Sequence, residues 1–181
     1  LTTGQIADST GEVGAASSVL SSTGSGLAWV AGGAGETVES TGDFVGLIKE
    51  EFEVTAGKLS ANPNIYLEDG MVHWFTTAET ATSTPNIRYN GSTDLTTKMS
   101  VGQVATVTII TQSTAGSTNG YSANIEIDGD AVTEEWLCAT APSSPAATSG
   151  YNIYTHTIIK KGSSGTTADD FLVLSTVANY D

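Results

Sequence analysis

Apolar and polar residues alternate with a period of two in several short runs along the second half of the chain. The runs at 101–112, 121–128, 151–160 and 170–177 are rich in Val, Ile, Thr and Tyr, and loops of Gly, Ser, Pro and Asn separate them. Successive side chains point to opposite faces of a strand, so this alternation indicates half-buried strands. Short strands at such intervals are typical of a sandwich or barrel. The pattern predicts an all-β fold, with an antiparallel β-sandwich of the jelly-roll or immunoglobulin-like kind over 63–181.

The alternation also predicts which side chains face the core of this sandwich. In 101–112 a shared face of one long strand is predicted for Ala105, Val107 and Ile109. In 121–128 they are predicted to be Tyr121, Ala123, Ile125 and Ile127.

Two Asp-Gly pairs predict tight hairpin turns, because this dipeptide readily adopts the positive φ angles of a two-residue turn. Asp69-Gly70 is predicted to join two strands within 64–76, and Asp128-Gly129 to lead into a strand at 131–138. In that last strand a shared face is predicted for Val132, Glu134, Trp136 and Cys138. Free cysteines are usually buried, so Cys138 is expected to behave as a small core hydrophobe.

The first third of the chain has a different pattern. The triplet Ser-Thr-Gly occurs at 9–11, 22–24 and 40–42, and short apolar stretches such as 19–20 and 27–30 lie between these triplets. Gly/Ser-rich segments are often flexible linkers. A flexible linker rarely contains a tryptophan, however, and a contiguous apolar surface is normally covered by another part of the protein or by a partner. We therefore expect an extended, oligomer-dependent segment with subunit contacts at Leu20, Leu27 and Trp29.

The junction between the two patterns is predicted near residue 62. Apolar residues in 43–54 begin at helical spacing, whereas 51–55 alternates like a strand, which predicts a short helix or turn leading into a strand. Pro63 then biases its neighbour towards extended geometry. We assign 1–62 to an attachment and oligomerisation segment and 63–181 to the sandwich domain.

The charge of the chain excludes several partners. Its 20 acidic and 6 basic residues give a formal net charge of −14. Binding to a phosphate backbone requires a basic stripe, and only Lys160 and Lys161 are adjacent among the bases. Anionic membrane surfaces are disfavoured for the same reason. The lack of a basic stripe therefore argues against a nucleic-acid partner. No run of eighteen apolar residues is present, so insertion into a membrane is not expected either.

Candidate metal ligands are few, and no cofactor is expected. A zinc site needs three or four ligands, and the aromatic neighbours of His73 and His156 favour packed strand histidines instead. The acidic string Glu126, Asp128 and Asp130 resembles the opening of a calcium loop, but its glycine is misplaced and no bidentate Glu closes it. Asp128 and Asp130 therefore remain weak candidates for an adventitious divalent ion, beside their more ordinary role in a turn.

No residue is predicted to be catalytic, and we do not expect an enzyme. No serine lies in a G-x-S-x-G turn, and Glu134 and Glu135 point to opposite faces of one strand, which does not suit a paired-carboxylate glycosidase. The aromatic residues leave two alternatives open. They are core or subunit-contact residues, or they line a sugar-stacking groove with Trp74 and Trp136 as candidate glycan contacts.

Two parts of the sequence resemble a known group of proteins. The stretch VLSSTGSGLAWV at 19–30 resembles a junction phrase that recurs in fibre-like virion proteins of tailed phages infecting marine cyanobacteria. The stretch 61–161, with pieces such as NPNIYLEDGMVHWFTT and GYSANIEIDGDAVTEEW, resembles a module of the structural proteins of these cyanophages. The resemblance supplies no catalytic residues.

The resemblance implies a virion structural protein located on the extracellular phage particle. Appendages of this kind are commonly homotrimers, and a closed cyclic assembly gives each copy the same neighbours. The implied partners are other copies of the chain and other virion proteins. Three alternatives stay open: a tail fibre or appendage for host attachment, a capsid decoration protein, and a carbohydrate-binding module for a host surface glycan.

Overall fold

The computed structural model of the chain describes residues 10, 18–22, 27–31, 52–145 and 150–180. The chain divides into two compact units, Leu1–Ile48 and Lys49–Asp181. The described residues form mostly strands and few, short helices. The prediction of a mainly β protein is therefore confirmed.

The described part of the first unit is a two-stranded antiparallel ladder. Strand β1 (Ser18–Ser22) pairs with β2 (Leu27–Ala31), and the register places Leu20 opposite Trp29. The side-chain contacts of Leu20, Leu27 and Trp29 lie outside the described part of the structure. Their predicted burial against another subunit therefore stays a prediction.

The second unit contributes the remaining described elements. Its strands are β3 (Glu53–Thr55), β4 (Asn64–Tyr66), β5 (Val72–Glu79), β6 (Asn86–Arg88), β7 (Val104–Ser113), β8 (Glu126–Ile127), β9 (Asp130–Ala131), β10 (Glu134–Trp136), β11 (Tyr151–Lys160) and β12 (Phe171–Tyr180). Its helices are the single turns α1 (Leu95–Lys98) and α2 (Thr167–Asp170), and 3-10 turns cover Leu59–Ala61, Leu67–Asp69 and Leu137–Ala139.

The division between the units lies earlier in the chain than the junction expected near residue 62. Strand β3 pairs in parallel with β5, which places Val54 opposite Trp74. The 3-10 turn that follows buries Leu59 in the core of the second unit. Residues 52–62 are thus part of the same unit as the sheets, because β3 pairs with β5 and the core of that unit buries Leu59.

Six strands form the larger sheet in the order β10-β12-β11-β7-β5-β3. Strand β11 is antiparallel to both β7 and β12, whereas the β10–β12, β5–β7 and β3–β5 pairs are parallel. The expectation of a purely antiparallel fold is therefore wrong. Parallel neighbours need a crossover, and between β5 and β7 the chain passes through β6 of the other sheet and α1 before it returns.

Four strands form the smaller sheet in the order β4-β6-β8-β9. The Asp128-Gly129 hairpin is confirmed: β8 and β9 are antiparallel, and both turn residues have positive φ, 55° and 88°. The hairpin predicted at Asp69-Gly70 is wrong, because β4 belongs to the smaller sheet and β5 to the larger one. The 3-10 turn Leu67–Asp69 carries the chain from one sheet to the other.

Both sheets contribute side chains to one hydrophobic core. The shared face predicted in β7 is confirmed, because Ala105, Val107 and Ile109 are all buried. The core receives Ile65, Ile87 and Ile127 from the smaller sheet and Phe75, Tyr154, Ile158, Phe171 and Val173 from the larger one. This shared core fixes the inner face of each sheet.

The alternation predicted for 121–128 holds only at its end. Ile125 and Ile127 are buried as predicted, but Ser122 is buried in place of its neighbours Tyr121 and Ala123, which are half-exposed. The Ser122 hydroxyl donates to the carbonyl of Ser83 at 3.1 Å, and this bond provides a partner for a buried polar group. Ser122 points inwards because its hydroxyl finds a hydrogen-bond partner there, and a pattern of hydrophobic residues does not show such partners.

Cys138 is exposed, so the prediction of a buried cysteine is wrong. Strand β10 ends at Trp136, and Cys138 and Ala139 both adopt left-handed backbone angles, with φ of 60° and 55°. The strand alternation does not continue through such a break. Val132 and Trp136 do pack against the core from the face that they were predicted to share.

Candidate functional site

The two candidate metal ligands at the hairpin turn are engaged inside the protein. The Asp128 carboxylate accepts hydrogen bonds from the backbone N–H groups of Leu95 at 2.7 Å and Thr96 at 2.8 Å, and also from the Thr96 hydroxyl. Asp130 accepts from the Thr167 hydroxyl at 2.7 Å. Within the described ranges, no group of three or more His, Cys, Asp or Glu is placed to hold a metal ion. Asp128 caps α1, because its oxygens bond N–H groups that lack partners in the helix.

Two further carboxylates have the same structural use. Glu79 is 2% exposed and accepts the backbone N–H groups of Leu59 at 2.6 Å and Ser60 at 2.9 Å, which ties the first 3-10 turn to β5. Glu134 accepts the N–H of Ile125, and burial raises the pKa of Glu134. Both carboxylates therefore hold segments of the same chain together.

A buried lysine and a buried aspartate close the end of the sheet. Lys160, 4% exposed, donates from Nζ to the carbonyl of Thr96 at 2.7 Å and lies 5.1 Å from the centre of the Phe171 ring. The N–H of Ser164 donates to Asp170, and this bond is the main reason that the pKa of Asp170 is lowered. Both charged side chains thus stabilise the protein's own loops.

The two histidines are packed strand residues, as predicted. Nε2 of His73 donates to the carbonyl of Gly70 at 3.0 Å, and burial lowers the pKa of His73. Nδ1 of His156 is hydrogen-bonded to the Ser175 hydroxyl at 2.8 Å, and burial lowers the pKa of His156 to about 4. Nε2 of His156 is buried and has no hydrogen-bond partner among the described residues. The His156 ring is thus enclosed by the protein, with 1% of the residue exposed.

Trp136, one of the two candidate glycan contacts, lies largely on the inner side of the larger sheet. Its ring meets His156 edge to face, with centres 5.9 Å apart and planes at 79°, and it packs against the core. A shallow groove of about 330 Å³ runs beside it and is lined by Glu135, Trp136, Leu137, Cys138, Leu174, Ser175 and Thr176. Because the ring supports the core, Trp136 is a structural residue first.

Trp74, the other candidate, lies on the opposite side of the larger sheet. It lines an open groove of about 400 Å³ together with Phe52, Val72, Ile110 and Tyr151. The groove is apolar, and Nε1 of Trp74 is buried without a hydrogen-bond partner among the described residues. Two of its rings are well exposed, Phe52 at 52% and Tyr151 at 40%. Contacts made here would come mainly from apolar and aromatic surface.

This groove is one end of a larger uncharged surface, which we call the outer face. The outer face consists of Val54, the even-numbered residues of 72–76, 104–112 and 172–180, and the odd-numbered residues of 151–159. These positions alternate with the inward ones on each strand and are half-exposed or exposed. They carry Val, Ile, Leu, Thr, Ala, Trp, Tyr and Gln, with no acidic or basic side chain. Exposed Glu135 of the edge strand β10 lies beside Leu174 at the border of this face. A sheet face that is open to water usually carries polar residues.

Comparison with known proteins adds no relative to this description. No family model matches the chain, and no curated protein or solved structure is similar to it. Among the described residues there is also no helix of the length and hydrophobicity needed to cross a membrane. The site must therefore be interpreted from its own chemistry.

Sequence reasoning missed the outer face as a unit. The signal was present: runs such as 104–113 and 151–160 contain Val, Ile, Leu or Thr at nearly every position that does not point inwards. Sequence reasoning also missed Glu79 as a buried acid. No local pattern marks that residue, because its partners Leu59 and Ser60 lie about twenty positions earlier in the chain.

Proposed function

We propose that this chain is a non-enzymatic structural subunit of a phage virion, most simply a tail fibre or another surface appendage. The observation that carries the proposal is the uncharged outer face on a chain of net charge −14. This face contains a row of neighbouring apolar side chains at Val54, Trp74, Ile110 and Ile153, and exposed apolar patches are often interaction sites. The likeness of the sequence to cyanophage structural proteins supplies the setting, the virion.

The use of the polar residues supports an assembly role rather than catalysis. The buried acids Glu79 and Asp170 and the histidine His156 hold loops and strands of the same chain. An active site instead keeps groups with perturbed pKa values facing a cleft, where they can reach a substrate. The lowered pKa of His156 belongs to an enclosed ring.

In this proposal the two sheets of the second unit form a β-sandwich that projects from the particle. The shared core supports that arrangement, since side chains from two inner faces interdigitate in a sandwich. The first unit, Leu1–Ile48, attaches and oligomerises the subunit, as a homotrimer, with Leu20, Leu27 and Trp29 against a neighbouring copy. Each such side chain contributes about 1.5–3 kcal/mol when it is fully buried.

Labelling of phage particles tests this proposal. An antibody raised against the purified chain is applied to particles of the phage that encodes it, and the label is located by electron microscopy. We expect label on the tail or its appendages. Label spread over the head in a regular lattice would favour capsid decoration instead, and unlabelled, protein-free particles would contradict a virion role.

A carbohydrate-binding module is the second candidate, and the exposed aromatic groove at Trp74 favours it. Flat rings such as those of Trp74 and Tyr151 are suited to stacking on sugars. In a glycan-array measurement, Trp74→Ala should abolish binding while the protein stays folded. Trp136→Ala is the matched control, because its ring packs on the core and its loss should lower stability. Absence of any bound glycan would remove this candidate.

A further inference from the structure

We propose that the outer face of the larger sheet is a self-association surface that docks a second copy of this chain. The inference deepens the proposed function and rests on it, since it names the partner that covers this surface. It adds a contact in the second unit to the one expected from Leu20, Leu27 and Trp29 in the first.

The side chains of the outer face form rows that run across the strands. The register places Val54, Trp74, Ile110 and Ile153 next to one another in a single apolar row. The next row contains the three threonines Thr108, Thr155 and Thr176. Apolar side chains pack against copies of themselves without a polar cost. Each hydroxyl is both a donor and an acceptor, so a threonine row can pair with an identical row.

The charge of the chain favours a second copy, rather than a basic partner, as the protein that covers the outer face. A basic partner would be attracted to the acidic remainder of the surface, and nothing on the outer face would hold it. Two copies, each with a net charge of −14, repel one another wherever their acids meet. Like charges placed directly opposite each other suppress a contact. The positions that define the outer face carry no acid, and Glu135 lies at its β10 edge, so two copies that meet at the centre of this face avoid most of that repulsion.

The dimensions of the outer face also suit a stable contact. Strands β7, β11 and β12 have ten residues each, β5 has eight and β3 has three. At roughly 3.3 Å per residue and about 4.8 Å between strands, these five strands cover roughly 650 Å². This area is within the lower part of the range of standard specific interfaces, for each partner. Two sheet faces also pack on one another readily, as they do inside a sandwich.

The position of Thr155 makes it the residue of choice for a test. It lies in the middle of β11, which has two strands of the sheet on one side and three on the other. Two copies from different trimers, related by a twofold axis through this region, would bring their Thr155 side chains near each other, because such an interface pairs the same patch on both subunits. A lysine at this position would therefore place two like charges in the contact.

The experiment measures self-association of the full-length chain by sedimentation velocity over a range of concentrations. The wild type should self-associate, and Thr155→Lys should raise the Kd of self-association at least about tenfold. Ser163→Lys, the same charge change at an exposed loop position, should leave the Kd unchanged. Circular dichroism verifies that each variant is folded. Thr106→Lys, at an exposed position of the outer face, replaces Thr155→Lys if that variant does not fold.

A Trp29→Ser variant of the full chain separates this inference from the proposed function. If Thr155→Lys weakens association and Trp29→Ser does not, the outer face is the interface and the oligomerisation role of the first segment is wrong. If only Trp29→Ser weakens association, the outer-face proposal is overturned while the proposed function stands. A wild type that stays monomeric at every concentration overturns both.

Discussion

The two faces of strand β11 differ in a way that runs against their composition. The inner face carries Asn152, Tyr154, His156, Ile158 and Lys160, all of them buried. The outer face carries Tyr151, Ile153, Thr155, Thr157 and Ile159, all of them half-exposed or exposed. By hydrophobicity alone, the strand would be placed in the sheet the other way round.

Hydrogen bonds explain this inversion. On the inner face, Asn152 donates to the Ser113 hydroxyl at 3.0 Å, His156 bonds Ser175, and Lys160 donates to the carbonyl of Thr96. A buried polar group is tolerated when it is bonded, and each of these has its partner on another part of the same chain. The outer face instead presents apolar side chains and hydroxyls to its surroundings. The difference teaches that polar residues can mark the core while apolar residues mark an interface.

The largest expected effect compares one isoleucine on each face. Ile158→Ala empties a fully buried site and should lower the free energy of unfolding by roughly 2–5 kcal/mol. Ile153→Ala, the same change on the outer face, leaves no enclosed cavity and should cost less than about 1 kcal/mol in the dilute protein. Denaturant unfolding at low concentration measures both. Equal losses would contradict the assignment of the faces.

The second effect depends on pH and concerns the inner histidine. The folded protein holds the pKa of His156 at about 4, against an ordinary value of 6.5. As pH falls from 6.5 to 4, His156 becomes protonated in the unfolded chain but stays neutral in the folded protein. The free energy of unfolding therefore falls, by up to about 3 kcal/mol. The lowered pKa of His73 acts in the same direction, whereas the raised pKa of Glu134 opposes it.

Replacement of the ring isolates the contribution of His156. His156→Gln removes the titrating group, so the variant's stability should depend less steeply on pH between 6.5 and 4 than that of the wild type. Thermal unfolding at a series of pH values gives the two curves. Parallel curves would mean that His156 is not enclosed as the structure describes.

A smaller effect tests the carboxylates that hold loops to the sheets. Asp128→Asn keeps the residue tolerant of its positive φ but replaces one accepting oxygen by a donor facing a backbone N–H. The loss should be roughly 1–2 kcal/mol. Asp130→Asn, which affects one hydroxyl bond, should cost less. A melting temperature that drops on chelation would contradict the capping role and restore the metal interpretation.

The smallest expected effect is a difference in unfolding free energy between substitutions at two adjacent residues of β12, Ser175 and Thr176. Ser175→Ala removes the hydroxyl bonded to His156 and should cost about 1 kcal/mol. Thr176→Val points outwards and removes a hydroxyl without leaving a buried partner, so the unfolding free energy should change little. A larger loss at Thr176 than at Ser175, measured by denaturant unfolding, would reverse the two faces.

Local patterns predicted the long strands well. The runs at 104–113 and 151–160 combine β-branched residues with regular alternation, and both form strands. The Asp128-Gly129 turn was predictable because its flanking strands lie next to each other in the same sheet. The same dipeptide at 69–70 led to a wrong hairpin prediction, because no local sequence feature indicates that β4 and β5 belong to different sheets.

The candidate site was predictable only in part. Trp74 was selected as an aromatic contact, and it does line a groove. Trp136 was selected for the same reason, yet its ring packs on His156, which is twenty residues away in sequence. A tryptophan in a strand satisfies the same local pattern in both environments.

The long strands, one hairpin and the strongly acidic character follow from the amino-acid order and composition, because these features depend on neighbours within a few residues or on residue counts. Which side of β11 is buried, which strands are parallel and which acids are bonded became clear only from the folded chain. Those outcomes depend on partners distant in sequence, such as Asp128 with Leu95 and Lys160 with Thr96. A buried polar group is stable only where folding brings its partner to it.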